Sequence, residues 1–436
     1  MDSQFDAIIV GSGLGGLCAA AHLVAADKRV VLVEKSPHLG GRCSHRVRED
    51  CLVTTGALMI PMGPQSAIRQ AFDALGVDMD MVNLTGKMRY RLAHGDYDIS
   101  AKGGGLLGMI NFAMQNADKA KQLHQQIIDA LMVWMPLSSI TILEWFDQHT
   151  DNQSVKDLFQ GYCAALMGVN MHEIPANEFF SFLKYHSKGS QFGMARLGNG
   201  HLLGELANAI TARGSVIRMQ SPCRKILIQN NTISGIEIGN SSGEAEILNA
   251  PIVISNAGPR RTFELAGGSD AFEASYVARL KQGDVEAPIM HASFTLDKPI
   301  MENFDGCMVF GNTTNLIYLE IPSAISPNMS PDGVFLHTAY GAPADAANPN
   351  LSAEFKNMLQ ELESNFPGIL DRAKFLVKAK HRGDSPGMHR WVGRGMPVNT
   401  SIRGLYNVGD GAASVGMIGT ESAAASAREA AAMILA

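Results

Sequence analysis

A glycine-rich segment near the start of the chain has the spacing of a phosphate-binding turn. Gly11, Gly13 and Gly16 follow the apolar run 7–10 and precede the alanine-rich stretch 17–26. In such a turn the first glycine permits the tight bend, the second lets the backbone approach a phosphate, and the third lets helix and strand pack closely. The start of the helix adds free N–H groups and a positive dipole end. We therefore expect this unit to bind the pyrophosphate of a dinucleotide.

An acidic residue stands where such a unit needs one. The run 29–33 predicts a second buried strand, and Glu34 follows it, 21 residues beyond Gly13. A carboxylate about 20 residues after the glycines accepts a hydrogen bond from the adenosine ribose. Its negative charge favours a free 2′-hydroxyl over a 2′-phosphate. The other interpretation is a structural turn followed by a solvated glutamate.

Two further small-residue segments follow the predicted ribose acid. Gly40, Gly41 and Arg42 form the first, and an arginine there can bridge a phosphate or hold the loop by paired hydrogen bonds. The second, residues 54–57, ends at Ala57 and would let backbone lie against a flat ring. Both segments predict loops that pass close to a bound cofactor.

The composition restricts the class of protein. The 436 residues are enough for two or three domains, and 46% hydrophobic against 18% charged residues predicts a large interior. The net charge of −6 argues against a nucleic-acid partner, which would require a basic surface. The 13 histidines show no metal-ligand spacing, so we predict no metal site.

The cysteines and the hydropathy pattern predict a location. The six cysteines form no CxxC pair and several lie in apolar runs, which favours buried, reduced thiols in a cytoplasmic protein. The chain start shows no basic segment followed by an apolar stretch, so we expect no signal peptide. We also find no run of about 18 apolar residues, which a spanning helix would need.

Two unusually apolar segments, 103–110 and 130–137, have three open interpretations. They line a substrate tunnel, they touch a membrane surface, or they form ordinary core helices, which is how most apolar helices are used. A peripheral contact with a membrane therefore stays among the interpretations. The sequence indicates no oligomeric state.

The order of the predicted elements indicates an interrupted fold. The strands 216–219, 223–229 and 233–238 resemble a small antiparallel meander, and the final strand and alanine-rich helix 420–435 repeat the pattern of the opening unit. We predict the α/β class, with a Rossmann-like cofactor domain interrupted by an α+β substrate domain that contains an antiparallel sheet. The predicted domains are 1–85, 196–285 and 382–436 for the cofactor, and 86–195 and 286–381 for the substrate.

The closing segment completes a resemblance to a known family. Gly409-Asp410 and then the stretch 416–419, taken with the opening glycines, Glu34 and Arg42, resemble the FAD-dependent amine oxidase and phytoene desaturase superfamily. The segments 321–323, 330–333 and 365–368 resemble loops of its carotenoid desaturase and retinol saturase branch. An aromatic pair that would cage an amine is not evident beside Asp410.

This resemblance implies a non-covalent FAD and a set of residues that hold it. It places the opening glycines at the pyrophosphate, Glu34 at the adenosine ribose, Arg42 near the phosphates and Asp410 on the ribityl side. Cys223 would touch the adenine through its backbone, and Met417 with Ile418 would present a helix start to the flavin. The full predicted set is Gly11, Gly13, Leu14, Gly15, Gly16, Glu34, Lys35, Gly41, Arg42, Ala57, Cys223, Gly409, Asp410, Met417 and Ile418.

The resemblance also implies a reaction. We expect hydride transfer between flavin and an apolar organic substrate, most simply a desaturation or dehydrogenation. An amine oxidase that produces an imine, a redox-neutral isomerase and a flavin-binding protein without catalysis are the alternatives. The electron acceptor, oxygen or a quinone, stays open.

Because the flavin carries the main chemistry, the protein needs to supply little beyond one acid or base. Tyr162, His389 and Trp391 are the candidates we select, after also considering Lys184 and Tyr185. His389 would exchange a proton near neutral pH. For each, a packed aromatic ring or a solvated side chain is the alternative.

Overall fold

The computed structural model describes residues 5–99, 105–132, 139–187, 190–239, 244–283, 285–412 and 414–436. The apolar segment 103–110 is therefore described only from residue 105, and the segment 130–137 only as far as residue 132. The tunnel and membrane interpretations of the remainder lie outside the described residues.

The described residues form strands and helices in the following order along the chain. The strands are β1 Ala7–Val10, β2 Val30–Val33, β3 His45–Arg48, β4 Cys51–Thr54, β5 Met59–Pro61, β6 Met81–Asn83, β7 Met88–Leu92, β8 Gly95–Asp98, β9 Phe192–Ala195, β10 Val216–Arg218, β11 Cys223–Gln229, β12 Thr232–Gly239, β13 Ala245–Asn249, β14 Val253–Ser255, β15 Ile289–Leu296, β16 Cys307–Phe310, β17 Leu316–Glu320, β18 Phe335–Gly341, β19 Lys374–His381 and β20 Leu405–Asn407. The helices are α1 Leu14–Ala25, α2 Ala67–Leu75, α3 Gly105–Met114, α4 Ala117–Met132, α5 Ile142–His149, α6 Gln153–Met167, α7 Ala176–His186, α8 Gly198–Ala212, α9 Pro259–Leu265, α10 Ala274–Gln282, α11 Pro322–Ile325, α12 Leu351–Asn365, α13 Ile369–Arg372 and α14 Gly419–Leu435.

A parallel five-stranded sheet forms the centre of one half of the molecule, with strand order β10-β2-β1-β14-β20. Every residue of β1, β2 and β14 is buried, as expected for strands covered on both faces. Helices α1 and α14 pack against each other beside this sheet. The predicted α/β class and the interrupted Rossmann-like sheet are confirmed, because β14 and β20 complete a sheet that β1 begins. The domain boundaries stay a prediction.

The predicted meander is found in part. Strands β11, β12 and β13 form an antiparallel three-stranded sheet. Strand β10, which the sequence grouped with them, instead pairs in parallel with β2 at the edge of the central sheet. The reason is the preceding helix α8, since a strand that follows a crossover helix joins a parallel sheet.

A seven-stranded sheet, in the order β19-β15-β18-β17-β16-β7-β8, forms the second half. Its pairs are antiparallel except β16 with β7. One face carries buried apolar residues such as Met308, Leu319 and Ala339, which pack with Met358 and Leu362 of α12. The opposite face of this seven-stranded sheet is therefore free to line a ligand-binding site.

The stretch 105–132 contains two helices, because α3 ends at Met114 and α4 begins at Ala117. Gln115 between them has a φ of +52°, a left-handed conformation that ends a helix. The six cysteines are free thiols, as predicted. In the part of the chain that the structure describes, no helix combines the length and the apolar character needed to cross a bilayer.

Candidate active site

One cavity of about 950 Å³ connects the two halves of the molecule. At one end Gly11, Gly13 and Glu34 line it, at the carboxyl ends of β1 and β2. At the other end the wall is the seven-stranded sheet, with Tyr318 and Tyr340. The carboxyl edge of a parallel sheet is where ligands of such folds bind, so the position of the cavity agrees with a cofactor site.

The glycine turn has the geometry that its spacing predicts. Gly11 has a φ of +97°, which residues with a side chain rarely adopt. A Cβ atom on Gly16 would lie 2.0 Å from the Gly11 carbonyl oxygen, so helix α1 approaches β1 as closely as its backbone allows. Gly13 is the N-cap of α1 and supplies no side-chain hydrogen bond to it. The first N–H groups of the helix are therefore open to a ligand.

Asn256 lies among three of the predicted glycines, and the sequence did not single it out. Cβ atoms built on Gly13, Gly15 and Gly409 would lie 2.6, 2.7 and 2.8 Å from its side-chain amide. Its backbone N–H donates to the Val10 carbonyl at 2.8 Å. The available signal was its place directly after the buried strand β14, because polar residues at that edge reach the ligand.

Glu34 anchors the glycine turn as well as lining the cavity. Its Oε2 accepts hydrogen bonds from the Ser12 N–H at 2.7 Å and the Ser12 hydroxyl at 2.8 Å. Its Oε1 accepts from the Ser36 N–H at 2.8 Å. The carboxylate, 8% exposed, thus fixes the turn to the end of β2. Contact with a ribose stays a prediction.

Arg42, Asp410 and His389 form one charged cluster on the cavity wall. Arg42 donates from Nη1 to Asp410 Oδ2 at 2.9 Å and from Nη2 to Oδ1 at 2.7 Å. His389 Nδ1 lies 2.8 Å from Arg42 Nη2 and 2.9 Å from Asp410 Oδ1. Burial opposes ionisation of Asp410, but the charge of Arg42 and the hydrogen bonds of both partners outweigh it and hold its pKa well below the usual range. The carboxylate is therefore ionised at neutral pH.

The structure brings most of the predicted cofactor residues to this cavity. Gly16 lies behind the turn, and Met417 lies outside the lining while its neighbour Ile418 is part of it. The remaining members all line the cavity: Gly11, Gly13, Leu14, Gly15, Glu34, Lys35, Gly41, Arg42, Ala57, Cys223, Gly409 and Asp410. Their individual roles toward a ligand stay predictions.

Of the three selected acid–base candidates, only His389 lines the cavity. Tyr162 packs against the rings of Phe159, Phe179 and Phe182. Trp391 lines a separate surface groove and donates from its indole nitrogen to the Glu286 carbonyl at 2.9 Å. The positions of Tyr162 and Trp391 agree with the packed-aromatic alternative, and a catalytic role for either stays an untested prediction.

The two other residues considered as acid–base candidates also lie outside the cavity. Lys184 is exposed. The Tyr185 hydroxyl donates to Glu421 Oε1 at 2.6 Å. Neither is part of the cavity lining.

The sequence missed a stripe of polar side chains on the seven-stranded sheet. Tyr318 pairs with Tyr340 across β17 and β18, and Tyr340 pairs with His291 across β18 and β15. Glu320 stands two residues beyond Tyr318, hence on the same face, and His381 approaches His291 with 2.8 Å between ring nitrogens. These five residues line the cavity together. Only the strand register, which the sequence does not show, brings them side by side.

The donors present fit the pyrophosphate of a flavin dinucleotide. The uncapped start of α1 offers N–H groups, and close packing around Gly13 and Gly15 leaves no room there for a side chain. The cavity continues past Ala57 to the sheet, which gives space for a ring system beyond the phosphates.

Comparisons with known proteins agree with this arrangement. Residues 9–75 match the model of an NAD(P)-binding Rossmann-like domain. The chloroplastic prolycopene isomerase of Arabidopsis thaliana is 24% identical over an alignment that covers 94% of this chain and 79% of that protein. The crystal structure of an oxidoreductase from Methanosarcina mazei superimposes with a TM-score of 0.86 at 22% identity, covering 97% of this chain and 99% of that one.

A putrescine oxidase structure with bound putrescine has a TM-score of 0.71 at 15% identity and covers 99% of both chains. These similarities agree with the predicted resemblance. The chain is thus similar to a prolycopene isomerase over nearly its whole length, and it shares its fold with the oxidoreductase from Methanosarcina mazei and with putrescine oxidase.

Proposed function

We propose that this protein is an FAD-dependent oxidoreductase that transfers a hydride between flavin and an organic substrate with an apolar body, as a desaturase or dehydrogenase does. The observation that carries the proposal is the single cavity that joins the glycine turn to an apolar chamber. The similarity to prolycopene isomerase supports an extended apolar substrate, and the structural neighbours support the flavin.

FAD would be held by residues at the Rossmann end of the cavity. The start of α1 would bind the pyrophosphate, Glu34 the adenosine ribose, and the region of Arg42 and Asp410 would lie along the ribityl chain. When bound, FAD supplies the hydride chemistry. The residues of the chain orient it and keep the surroundings dry.

Apolar walls form the chamber next to this site. Phe182, Ile289 and Ile317 come from a helix and two strands of different parts of the fold. Met59 and Met167 add flexible thioether side chains that adapt to the shape of a ligand. Such walls bury an apolar substrate and exclude water from the reacting atoms.

An amine oxidase is the second candidate, and one observation favours it. The rings of Tyr318 and Tyr340 stand 5.8 Å apart in the chamber wall at an interplanar angle of 43°. Aromatic faces attract a cationic amine, and a carboxyl group, Glu320, lies beside them. This pair was not visible in the sequence because the two tyrosines lie on different strands.

Anaerobic bleaching of the flavin tests the proposal. The purified protein is expected to be yellow, and a panel of alkenes, carotenoid-like lipids and amines is then mixed with it without oxygen. Loss of the flavin colour with apolar alkenes or lipids supports the proposal. Bleaching by amines alone, with peroxide released in air, supports the second candidate. A colourless protein that FAD does not reconstitute contradicts both.

The mutation Gly13→Val links the colour to the site. A Cβ at this position already lies 2.6 Å from the Asn256 amide, so a branched side chain would fill the phosphate cradle. Gly204→Val in α8 is the matched control, because a Cβ there has no atom within 4 Å. The first variant is expected to be colourless and the second yellow. A yellow Gly13→Val protein would mean that the phosphates bind elsewhere.

A further inference from the structure

Four residues that line the cavity each carry a buried polar atom without a hydrogen-bond partner among the described residues: Oε2 of Glu320, Nε2 of His291, Nδ1 of His186 and Oε2 of Glu421. Glu320 and His291 lie on the cavity side of the seven-stranded sheet, with Tyr318 and Tyr340 between them. A buried polar atom left unpaired costs about 1–3 kcal/mol, so these positions call for a partner that a ligand supplies.

Glu320 is the more unusual of the two. It is fully buried, at 0% exposure. Its Oε1 accepts hydrogen bonds from the Tyr318 hydroxyl and from the Cys307 thiol, the latter at 3.6 Å. No lysine or arginine of the described ranges pairs with it. One carboxyl oxygen is thus fixed by neutral donors, and the other, Oε2, has no partner among the described residues although its residue lines the chamber.

The other buried glutamates hold the backbone, and Glu320 does not. Glu34 accepts from the Ser12 N–H, Glu178 from the Gly416 N–H and Glu421 from the Ala67 N–H, each at 2.7 Å. Among the described residues, Glu320 accepts no backbone N–H.

We propose that the Glu320 carboxyl binds the hydroxyl or amino group of an otherwise apolar ligand and exchanges a proton with it. This inference rests on the proposed function, since the ligand occupies the substrate chamber. The O–H or N–H bond of the ligand breaks, its electron pair stays on the ligand atom, and the proton forms an O–H bond at Oε2. The reverse step returns the proton. A pure hydrocarbon would leave Oε2 unpaired.

The surroundings allow Glu320 to change its charge near neutral pH. Burial raises its pKa to about 7, although the hydrogen bonds from Tyr318 and Cys307 act in the opposite direction. Burial also raises the pKa values of Tyr318, Cys307 and Tyr340, which therefore stay protonated. Burial, with His381 nearby, lowers the pKa of His291 to about 3, so this ring stays neutral. Glu320 is thus the member of this group that titrates.

Infrared difference spectra of the flavin-loaded protein test the proposal. Benzyl alcohol, benzylamine and toluene share one apolar body and differ in the polar group, and each is added to wild type, Glu320→Gln and Glu178→Gln. Glu178 is the matched control, because it is buried but does not line the cavity. The signal is the carboxyl C=O band. Binding constants of the same probes to Glu320→Leu give a second measurement.

The alcohol, the amine or both are expected to shift the band in wild type and in Glu178→Gln, with no such shift in Glu320→Gln. Toluene is expected to leave the band unchanged. The preference for the polar probe over toluene, expected to be about tenfold in wild type, disappears in Glu320→Leu. The polar probe that shifts the band shows whether the group bound by Glu320 is a hydroxyl or an amino group.

The proposal is wrong if toluene shifts the band as strongly as the polar probes, or if Glu320→Gln keeps the response. If the flavin-loaded protein shows no band shift with any probe, this inference is wrong and the proposed function is unaffected. A response in a protein that binds no flavin contradicts the proposed function and leaves the polar subsite standing.

Discussion

Arg42 and Asp410 form a two-point ion pair, with N–O distances of 2.9 and 2.7 Å, between residues 368 positions apart in the chain. Arg42 also donates to the carbonyl groups of Pro386 and Gly387 at 3.1 and 2.9 Å. The loop after β2 is thereby tied to the segment after β20. Because both segments line the cavity, this pair holds two distant parts of the chain together at the cavity wall.

Arg42→Ala is expected to destabilise the protein by about 2–3 kcal/mol, because it leaves a nearly buried carboxylate without its charge partner. Asp410 has 7% of its side chain exposed. Its depressed pKa stabilises the fold at pH values above the ordinary carboxyl range, and that stability is lost as the pH falls through the folded-state pKa. The stability advantage of wild type over the variant is therefore expected to be largest near pH 7 and to shrink as the pH falls. Urea unfolding between pH 7 and pH 3 measures both effects.

Arg69→Ala provides the control for this experiment. Arg69 pairs with Asp73 one turn away on α2, where the two side chains are 31% and 57% exposed. Exposed pairs of this kind contribute about 0.3–0.5 kcal/mol. Equal losses of unfolding free energy in the two variants would show that the Arg42–Asp410 pair contributes no more to stability than the Arg69–Asp73 pair.

Gly16→Ala is expected to prevent folding of the cofactor domain or to destabilise it severely. The new Cβ would lie 2.0 Å from the Gly11 carbonyl oxygen. Because this oxygen belongs to the backbone, no flexible side chain can move to relieve the clash. Gly204→Ala, with no atom within 4 Å of its Cβ, is expected to change stability by at most about 1 kcal/mol, in the stabilising direction. Thermal unfolding of both variants gives the comparison. A Gly16→Ala protein as stable as wild type would contradict the close packing of α1 on β1.

The cofactor end of the site could be predicted from the sequence because its signals are local. Gly11, Gly13 and Gly16 lie within six residues at the start of α1, and Glu34 directly follows the next strand, β2. Residues so near each other take their spatial relation from the secondary structure alone. The distant partner Asp410 was reached only through the resemblance of the closing segment.

The substrate end could not be predicted, because strand register creates it. Tyr318, Tyr340 and His291 come from three strands, and their pairing depends on bulges and loops that leave no local pattern. The neighbouring strand β19, KFLVKAKH, was not predicted at all, because it lies at the sheet edge and its lysines give it a polar appearance. Tyr162 and Trp391 were selected as acid–base candidates by residue type alone, without knowledge of which side chains the fold brings to the cavity.

Tyr318→Phe is expected to raise the pKa of Glu320, because the tyrosine hydroxyl donates to the carboxylate and favours its charged form. Loss of one such bond corresponds to a shift of roughly one pH unit. Tyr340→Phe is the matched control, since that hydroxyl donates instead to the Gly56 carbonyl at 2.8 Å. The midpoint of the carboxyl band in an infrared pH titration measures the shift. The positioning role of Tyr318 is disproved if both variants give the same midpoint.

Glu320→Gln is expected to become more stable relative to wild type as the pH rises. The folded-state pKa of about 7 lies above the ordinary value of 4.5, so the stability that the protonated form provides is complete below pH 4.5 and is lost as the pH rises through 7. At 1.36 kcal/mol per pH unit this loss amounts to roughly 3 kcal/mol in wild type, and the amide variant does not titrate. Urea unfolding at pH 5 and pH 8 measures the change in the difference between the two proteins. Glu246→Gln, at a solvated carboxylate paired with Arg218, controls for a general effect of charge removal. Parallel stability curves for wild type and Glu320→Gln would show that Glu320 does not titrate in this range, because contributions from every other group cancel in the comparison.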